Sequence, residues 1–421
     1  MGINIIRDLQ KDLENHLSNK EITLIVGPRQ AGKTFLMRVI QEKLNKKGLK
    51  TLFMNLDIET DKKFFVSQNS LIEKIRLELG KNGGYVFIDE VQRKENAGLF
   101  LKGIFDSNLP YKFIVSGSGS LELKEKIHES LAGRKRVFEL NTLNFNEFAN
   151  FKTEYRYKNK LNDFFSLEQE KTQTLLKEYL VFGGYPKVVL SQTIEEKNAV
   201  IGEIYRSYVE RDIKYLLNLE KTEEFSNLVK VIASQIGGLV NYSEIAATIG
   251  LSHKTVKLYL WYLEKTFILK KLTPYFRNTR KEISKTPIYY FYDLGLRNYI
   301  LNALGHSVLD LNGGHLFENF VFNTLRQCIF NTPAAINFWR TRDNAEVDFV
   351  INTGMTPIPI EAKFTSLNKV RLSRSVHSFI KTYQPSTLYI AHLGKIFKEQ
   401  VGNTHVSLIP FYQLPQACEN L

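Results

Sequence analysis

The chain has only two cysteines in 421 residues, and Cys328 and Cys418 are too far apart for a metal-ligand spacing. That excludes a disulfide-stapled scaffold and a zinc ribbon. Long hydrophobic runs are also missing: stretches such as Leu258 to Leu263 fall well short of the ~20 residues a membrane-crossing helix needs. Arg7, Asp8 and Lys11 follow directly on a short Ile-Ile pair, so no secretory leader is expected; the expected location is the cytoplasm, with no membrane partner. Negative charge is in deficit, 44 Asp+Glu against 57 Lys+Arg, which leaves +13. A diffuse surplus would mean little beyond solubility, whereas a clustered one points to an anionic partner. What is present is ample apolar material, 43% hydrophobic and 12% aromatic, which excludes wholesale disorder. At ~100–200 residues per domain, the length allows about two to four folding units.

Residues 22–26 (Ile-Thr-Leu-Ile-Val) read as a buried strand, followed by Gly27-Pro28-Arg29-Gln30-Ala31-Gly32-Lys33-Thr34 and a helix from Phe35 to about Lys47. G-x4-G-K-T between a strand and a helix is the context a phosphate-binding loop requires. The glycines let backbone amides turn toward phosphates, and the helix N-terminus adds positive potential. Lys33 would reach the β- and γ-phosphates of ATP, and the Thr34 hydroxyl would hold Mg²⁺. A second strand, Thr51 to Leu56, precedes a third, Tyr85-Val86-Phe87-Ile88, which ends in Asp89-Glu90. Asp89 fits the Mg²⁺ shell and Glu90 a base that polarises the attacking water. A further strand, Tyr111 to Val115, runs into Ser116-Gly117-Ser118-Gly119-Ser120. Ser118 is the candidate for sensing the γ-phosphate, a plain Ser/Gly turn being the alternative.

These motifs resemble the AAA+ branch of P-loop ATPases. Ser130-Leu131-Ala132-Gly133-Arg134, a strand over 136–140 and Leu143-Asn144-Phe145-Asn146-Glu147-Phe148 narrow the resemblance to a bacterial and archaeal group with a C-terminal domain of unassigned role. The resemblance implies an arginine before the fifth strand acting on a neighbour's nucleotide, hence a homo-oligomer. Arg134 is the candidate and Arg136 the second, with a surface arginine as the alternative. It also implies that residues 151–234 form a helical lid containing Phe182-Gly183-Gly184-Tyr185-Pro186, with Arg206 and Arg211 as weaker phosphate candidates. The glycines and proline themselves read as a turn between helices.

From Tyr242 a short helix with Ser243 as its N-cap, a Gly250-Leu251-Ser252 turn and a helix to about Glu264 form a helix-turn-helix pattern. Strands over 267–272 and 286–292 would supply a wing. Between Ser252 and Lys285 stand nine basic and two acidic residues, a clustered surplus. Double-stranded DNA is the expected partner, contacted by His253, Lys254, Lys257, Lys270, Lys271, Arg277 and Arg280. A protein-interaction module with a solvated lysine face is the alternative.

Residues 291–421 return to alternating elements: a helix near Gly314–Phe320, strands at 336–340, 346–351 and 357–364, a helix around 370–383 and a strand at 387–391. Asp348 on one strand and Glu361-Ala362-Lys363 on the next, preceded by helical Glu318, resemble the PD-(D/E)XK nuclease fold. The resemblance implies a second Mg²⁺ site at Glu318, Asp348 and Glu361, with Lys363 orienting water. A degraded or purely structural domain is the alternative.

The expected fold is therefore α/β. A P-loop NTPase parallel-sheet domain (1–150) precedes an all-α lid (151–234), a winged helix-turn-helix (235–290) and a C-terminal α/β restriction-endonuclease-like domain (291–421). The expected function is a Mg-dependent ATPase coupled to DNA. The alternative is a nucleotide-dependent switch for a protein partner with an inactive nuclease-like domain.

Overall fold

The computed structural model describes residues 5–118, 130–207, 222–276, 285–305, 307–354 and 356–418, without the side chain of Ser118. Its contacts divide the chain into two compact units. One comprises residues 1–143, 185–187 and 261–268; the other comprises 144–184, 188–260 and 269–421. No described helix is long and apolar enough to cross a membrane.

The first unit is built on five parallel strands: β1 (Ile22–Gly27), β2 (Thr51–Asn55), β3 (Gly84–Asp89), β4 (Tyr111–Ser118) and β5 (Lys135–Glu139). Their spatial order is β2-β3-β4-β1-β5. All of β1 is buried, and it reads as a continuous apolar run because helices cover both faces of a parallel sheet. Ile25, Phe87, Ile114 and Phe138 of the sheet pack against Leu36, Met37 and Ile40 of the helix Lys33–Lys46. Burial of each such side chain contributes about 1.5–3 kcal/mol. Parallel pairing brings the C-terminal ends of β1, β3 and β4 to one edge, where ligands of open α/β sheets bind. β4 runs three residues past the expected Val115, so Ser116 is a buried strand residue and not part of a loop.

The second unit carries a mixed eight-stranded sheet: β6 (Leu269–Pro274), β7 (Ile288–Phe291), β8 (Ala335–Arg340), β9 (Glu346–Asn352), β10 (Ile358–Ala362), β11 (Thr387–His392), β12 (Phe397–Val401) and β13 (Thr404–Pro410). The order is β12-β13-β11-β10-β9-β8-β6-β7. Trp339, Val347, Val350, Leu388 and Leu408 of the sheet bury against Val376 and Phe379 of the helix Arg374–Tyr383. The long helix Ser307–Cys328 packs on β7 and β10. The strands β12 and β13 are absent from the sequence reading; β12 is a polar five-residue edge strand with almost no apolar signal, and β13 opens on the polar Thr404 and His405 before its buried run. The expected wing strands do pair, as the β6–β7 hairpin. β6 also joins β8 in parallel through Thr273 and Pro274, so the hairpin forms the rim of the larger sheet.

Ahead of this hairpin stands the helix Tyr242–Ile249, with Gly250 left-handed at its end, followed by the helix His253–Lys265. The N-cap of the first is Asn241, whose side chain accepts from the amides of Ser243 and Glu244; Ser243, the expected cap, lies one turn position inside. Ser252 Oγ accepts from the Thr255 amide and caps the second helix as expected.

Candidate functional site

At the C-terminal edge of the parallel sheet, the loop after β1 turns through left-handed backbone at Gln30 and Gly32 into the helix Lys33–Lys46. Gly27 is required by close approach: a Cβ there would lie 2.0 Å from the Leu140 carbonyl oxygen. Lys33 is 5% exposed, and its ammonium donates to the carbonyls of Gly27 at 3.0 Å and Pro28 at 2.8 Å. Burial pulls its pKa down to about 8 against the opposing pull of Glu90 and Asp89. Thr34 Oγ1 donates to Asp89 Oδ2 at 2.6 Å, and Ser116 Oγ donates to Asp89 Oδ1. Asp89 is 1% exposed and is therefore held by two hydroxyls, one from the loop and one from β4. Glu90 follows in left-handed backbone and accepts from Gln92 Nε2; burial raises its pKa.

The donor set fits Mg·ATP. Thr34 and Asp89 offer hard oxygens side by side. Lys33 is a buried ammonium that donates to two loop carbonyls. Gln30 Oε1 is shielded from solvent with no hydrogen-bond donor among the described residues. Pro28, Arg29 and Ala31 complete the loop, and Phe35 is 46% exposed on the first turn of the helix.

Two contributors were not legible. Arg7 is buried and donates to Ala31 O at 2.9 Å and Asn141 O at 2.7 Å, fastening the loop to the chain end of β5. Its partners lie 24 and 134 residues away, so no local pattern marks it. Ser116 was seen only as part of a Ser/Gly run, and the Ser118 side chain lies outside the described residues. Arg134 pairs with Asp106, with Nε–Oδ1 at 2.7 Å, and its carbonyl bonds the Ile22 amide at the start of β1. It thus sits at the opposite end of β1 from the loop, about 16 Å away at 3.3 Å per residue, and does not touch its own subunit's loop. Arg136 lies over the Phe138 ring. Arg206 is a described helix residue, and Arg211 lies outside the described residues.

The second unit brings together Glu318, Asp348, Glu361 and Lys363. β9 and β10 pair antiparallel with Ile360 opposite Phe349, which sets Asp348 across from Glu361. Asp348 Oδ2 accepts from the Ala362 amide at 2.8 Å. Lys363 Nζ lies 2.7 Å from Glu361 Oε2 and 3.9 Å from Asp348 Oδ2. Tyr290 of β7 donates its hydroxyl to Glu318, and His315, one turn earlier on the same helix, lies 3.6 Å from Glu318. Burial, then Glu361 and Glu318, push Asp348 well above the usual carboxylate range; burial also raises Glu361. Among the described residues no group of three or more His, Cys, Asp or Glu side chains is disposed to hold a metal ion. Lys363 stands beside both strand carboxylates of the expected Glu318, Asp348 and Glu361 set.

His253, Lys254 and Lys257 are exposed on the helix after the turn. Lys257 lies over the Tyr242 ring at 5.3 Å, and the Tyr242 hydroxyl meets Tyr289 at 3.0 Å. Lys271 stands opposite Tyr289 in the hairpin and so shares that face. Lys270 stands opposite buried Tyr290, on the other face, because successive strand side chains alternate. Arg277 and Arg280 lie outside the described residues.

Residues 19–149 match the model of an AAA domain. Residues 173–307 and 313–414 match two domains of unknown function (DUF8612 and DUF4143). An uncharacterized protein of Mycobacterium tuberculosis is 26% identical over 392 residues, covering 92% of this chain and 80% of that one. An uncharacterized protein of Methanocaldococcus jannaschii is 27% identical over 350 residues, covering 82% and 75%. Among solved structures, the Aeropyrum pernix Orc1 protein in complex with DNA is similar at 14% identity and a TM-score of 0.29, covering 72% of this chain and 93% of that one. AMPPCP-bound DnaA from Aquifex aeolicus is similar at 16% identity and a TM-score of 0.26, covering 61% and 87%. These structural likenesses are too loose to bear on the chemistry of either site.

Proposed function

We propose that this chain is a Mg-dependent, ATP-binding and ATP-hydrolysing AAA+-type ATPase that couples its cycle to double-stranded DNA through a winged helix-turn-helix. The observation that carries the reading is the meeting of Lys33, Thr34, Asp89 and Ser116 at one edge of a β2-β3-β4-β1-β5 parallel sheet. Lys33 would exchange its two loop carbonyls for phosphate oxygens, and that exchange would restore its full positive charge. Thr34 and Asp89 would hold Mg²⁺, which neutralises charge on the triphosphate. Glu90, whose carboxyl burial holds above its ordinary range and so makes a better proton acceptor, would take the proton of the attacking water. Arg134 would act from a neighbouring subunit in a homo-oligomer, since its own loop is out of reach.

Turnover of Lys33→Ala and Glu90→Gln proteins tests the ATPase: wild-type rates in both would sink it. DNA coupling predicts a salt-dependent shift of duplex DNA and ATPase stimulation by it. Loss of neither with His253, Lys254, Lys257 and Lys271 neutralised would remove the nucleic-acid part.

A second reading is favoured by the Lys363 ion pair with Glu361 and Asp348. In it, the C-terminal PD-(D/E)XK-like centre is structural, and the protein is a nucleotide-dependent switch for a protein partner. Nicking of DNA with Mg²⁺ or Mn²⁺, lost in Asp348→Ala and Lys363→Ala, would overturn it.

A further inference from the structure

We infer that Cys328 and Cys418, the two cysteines of the chain, are an oxidisable pair, which hydrogen peroxide converts to a disulfide that staples the helix Leu414–Cys418 to the helix Ser307–Cys328. Both helices belong to the second unit, and the inference stands apart from the nucleotide and DNA readings.

Two apolar stripes bring the sulfurs together. Phe411 opens a 3₁₀ turn that runs straight into the helix Leu414–Cys418, and Phe411, Leu414 and Cys418 are all buried. Their i, i+3, i+7 spacing puts them on one face. On the partner helix Phe317 and Phe320 are buried. Cys328 follows Phe317 by about three turns and so returns to its face. The Phe411 ring centroid lies 5.8 Å from that of Phe320 and 6.2 Å from that of Phe317. These rings pin the stripes together at one end, and the two helices pack on each other. About two turns beyond the rings both stripes end on sulfur, where Cys418 is hydrogen-bonded to Cys328. Among the described residues no His, Asp or Glu completes the two sulfurs into a metal-binding group.

The two thiols are unequal. The hydrogen bond to Cys328, and then burial, push the Cys418 thiol well above its ordinary range. Cys418 therefore keeps its proton, and Cys328, only partly buried, is the sulfur that ionises and attacks. The Cys328 thiolate attacks one peroxide oxygen, the O–O bond breaks, and the departing hydroxide takes up a proton as water, leaving a sulfenic acid. The Cys418 sulfur then attacks the sulfenic sulfur. The S–O bond breaks, and hydroxide leaves with the Cys418 proton as a second water. Two thiols lose two electrons, and one hydrogen peroxide is reduced to two waters. The disulfide closes a loop of about 90 residues that holds β8 to β13, and so restricts the unfolded chain.

The test treats the reduced full chain with equimolar hydrogen peroxide, then counts thiols after denaturation and maps peptides by mass spectrometry. The count should fall from two to none in the monomeric chain, with a Cys328–Cys418 peptide that dithiothreitol splits. The linked chain should melt about 5 °C or more above the reduced one. That gain should vanish in Cys328→Ser and in Cys418→Ser. In Cys418→Ser, oxidised Cys328 should stop as a sulfenic acid that dimedone traps. The thiol count and the linked peptide are read on the parent chain, so they decide where a serine variant fails to fold. Two thiols surviving peroxide, a sulfinic acid on Cys328 beside an unchanged Cys418, or a link found only between chains would overturn the inference. So would a linked chain that melts no higher than the reduced one.

Discussion

The molecule contains two centres made of the same parts, two carboxylates and a lysine, and it uses them in opposite ways. At the parallel-sheet edge, Lys33 gives its hydrogen bonds to neutral carbonyls while Asp89 is satisfied by the Thr34 and Ser116 hydroxyls. Cation and anion are held close but not spent on each other. In the mixed sheet, Lys363 pairs directly with Glu361 and approaches Asp348. Ligand readiness follows from who satisfies the charge: hydroxyls and carbonyls can be exchanged for a ligand at small cost, whereas the pairing of a buried carboxylate with a half-exposed lysine must be broken first.

The largest expected effect separates the two centres outright. Lys33→Ala should lower ATP turnover by about 100-fold or more, whereas Lys363→Ala should leave it within about twofold. Equal losses in both would erase the distinction. Nucleotide affinity of the parent protein should also weaken as pH rises through about 8, where the buried Lys33 loses its proton.

A smaller effect tests which lysines share a face. Replacing Lys254, Lys257 and Lys271 by glutamine should reduce the slope of log affinity for duplex DNA against log salt by about 3, near 0.9 per phosphate contact. Lys270→Gln should change it little. A Lys270 effect as large as that of Lys271 would contradict the facing derived from the hairpin register.

Ser116→Ala removes one of the two hydroxyls on Asp89 and should lower kcat about five- to tenfold. In the other centre, Asp348→Asn should raise the melting temperature at pH 7 by about 2–4 °C. The sign follows from the raised carboxyl: the folded state binds its proton more tightly than the unfolded chain does. Its stabilisation is therefore present at low pH and is lost as pH rises from the ordinary value of 3.8 through the raised one. Asparagine keeps the acceptor for the Ala362 amide and carries no charge to bury. Calorimetry at pH 5 and pH 7 should show the larger gain at pH 7; an equal gain would assign it to packing.

The nucleotide centre was legible in outline because its parts are adjacent in sequence. Gly27 to Thr34 is one continuous loop, and Asp89-Glu90 ends an apolar strand. Each carries its own local signal. That Glu361 and Lys363 share a face was also within reach, since strand side chains repeat every two residues. Arg7 was not legible, because it acts on backbone groups 24 and 134 residues away. Nor was Tyr290, which reads only as a core aromatic until the long helix sets Glu318 beside it.

Composition and local motif thus determined the existence of a phosphate loop, a following acidic strand end and a basic stretch after residue 252. Those properties depend on neighbours along the chain. Tertiary structure decided the rest: which serine meets Asp89, which face of the hairpin Lys270 and Lys271 take, and that Lys363 pairs with Glu361 and approaches Asp348. Those outcomes depend on who ends up across a sheet or against a helix end, and only the packed chain brings such partners together.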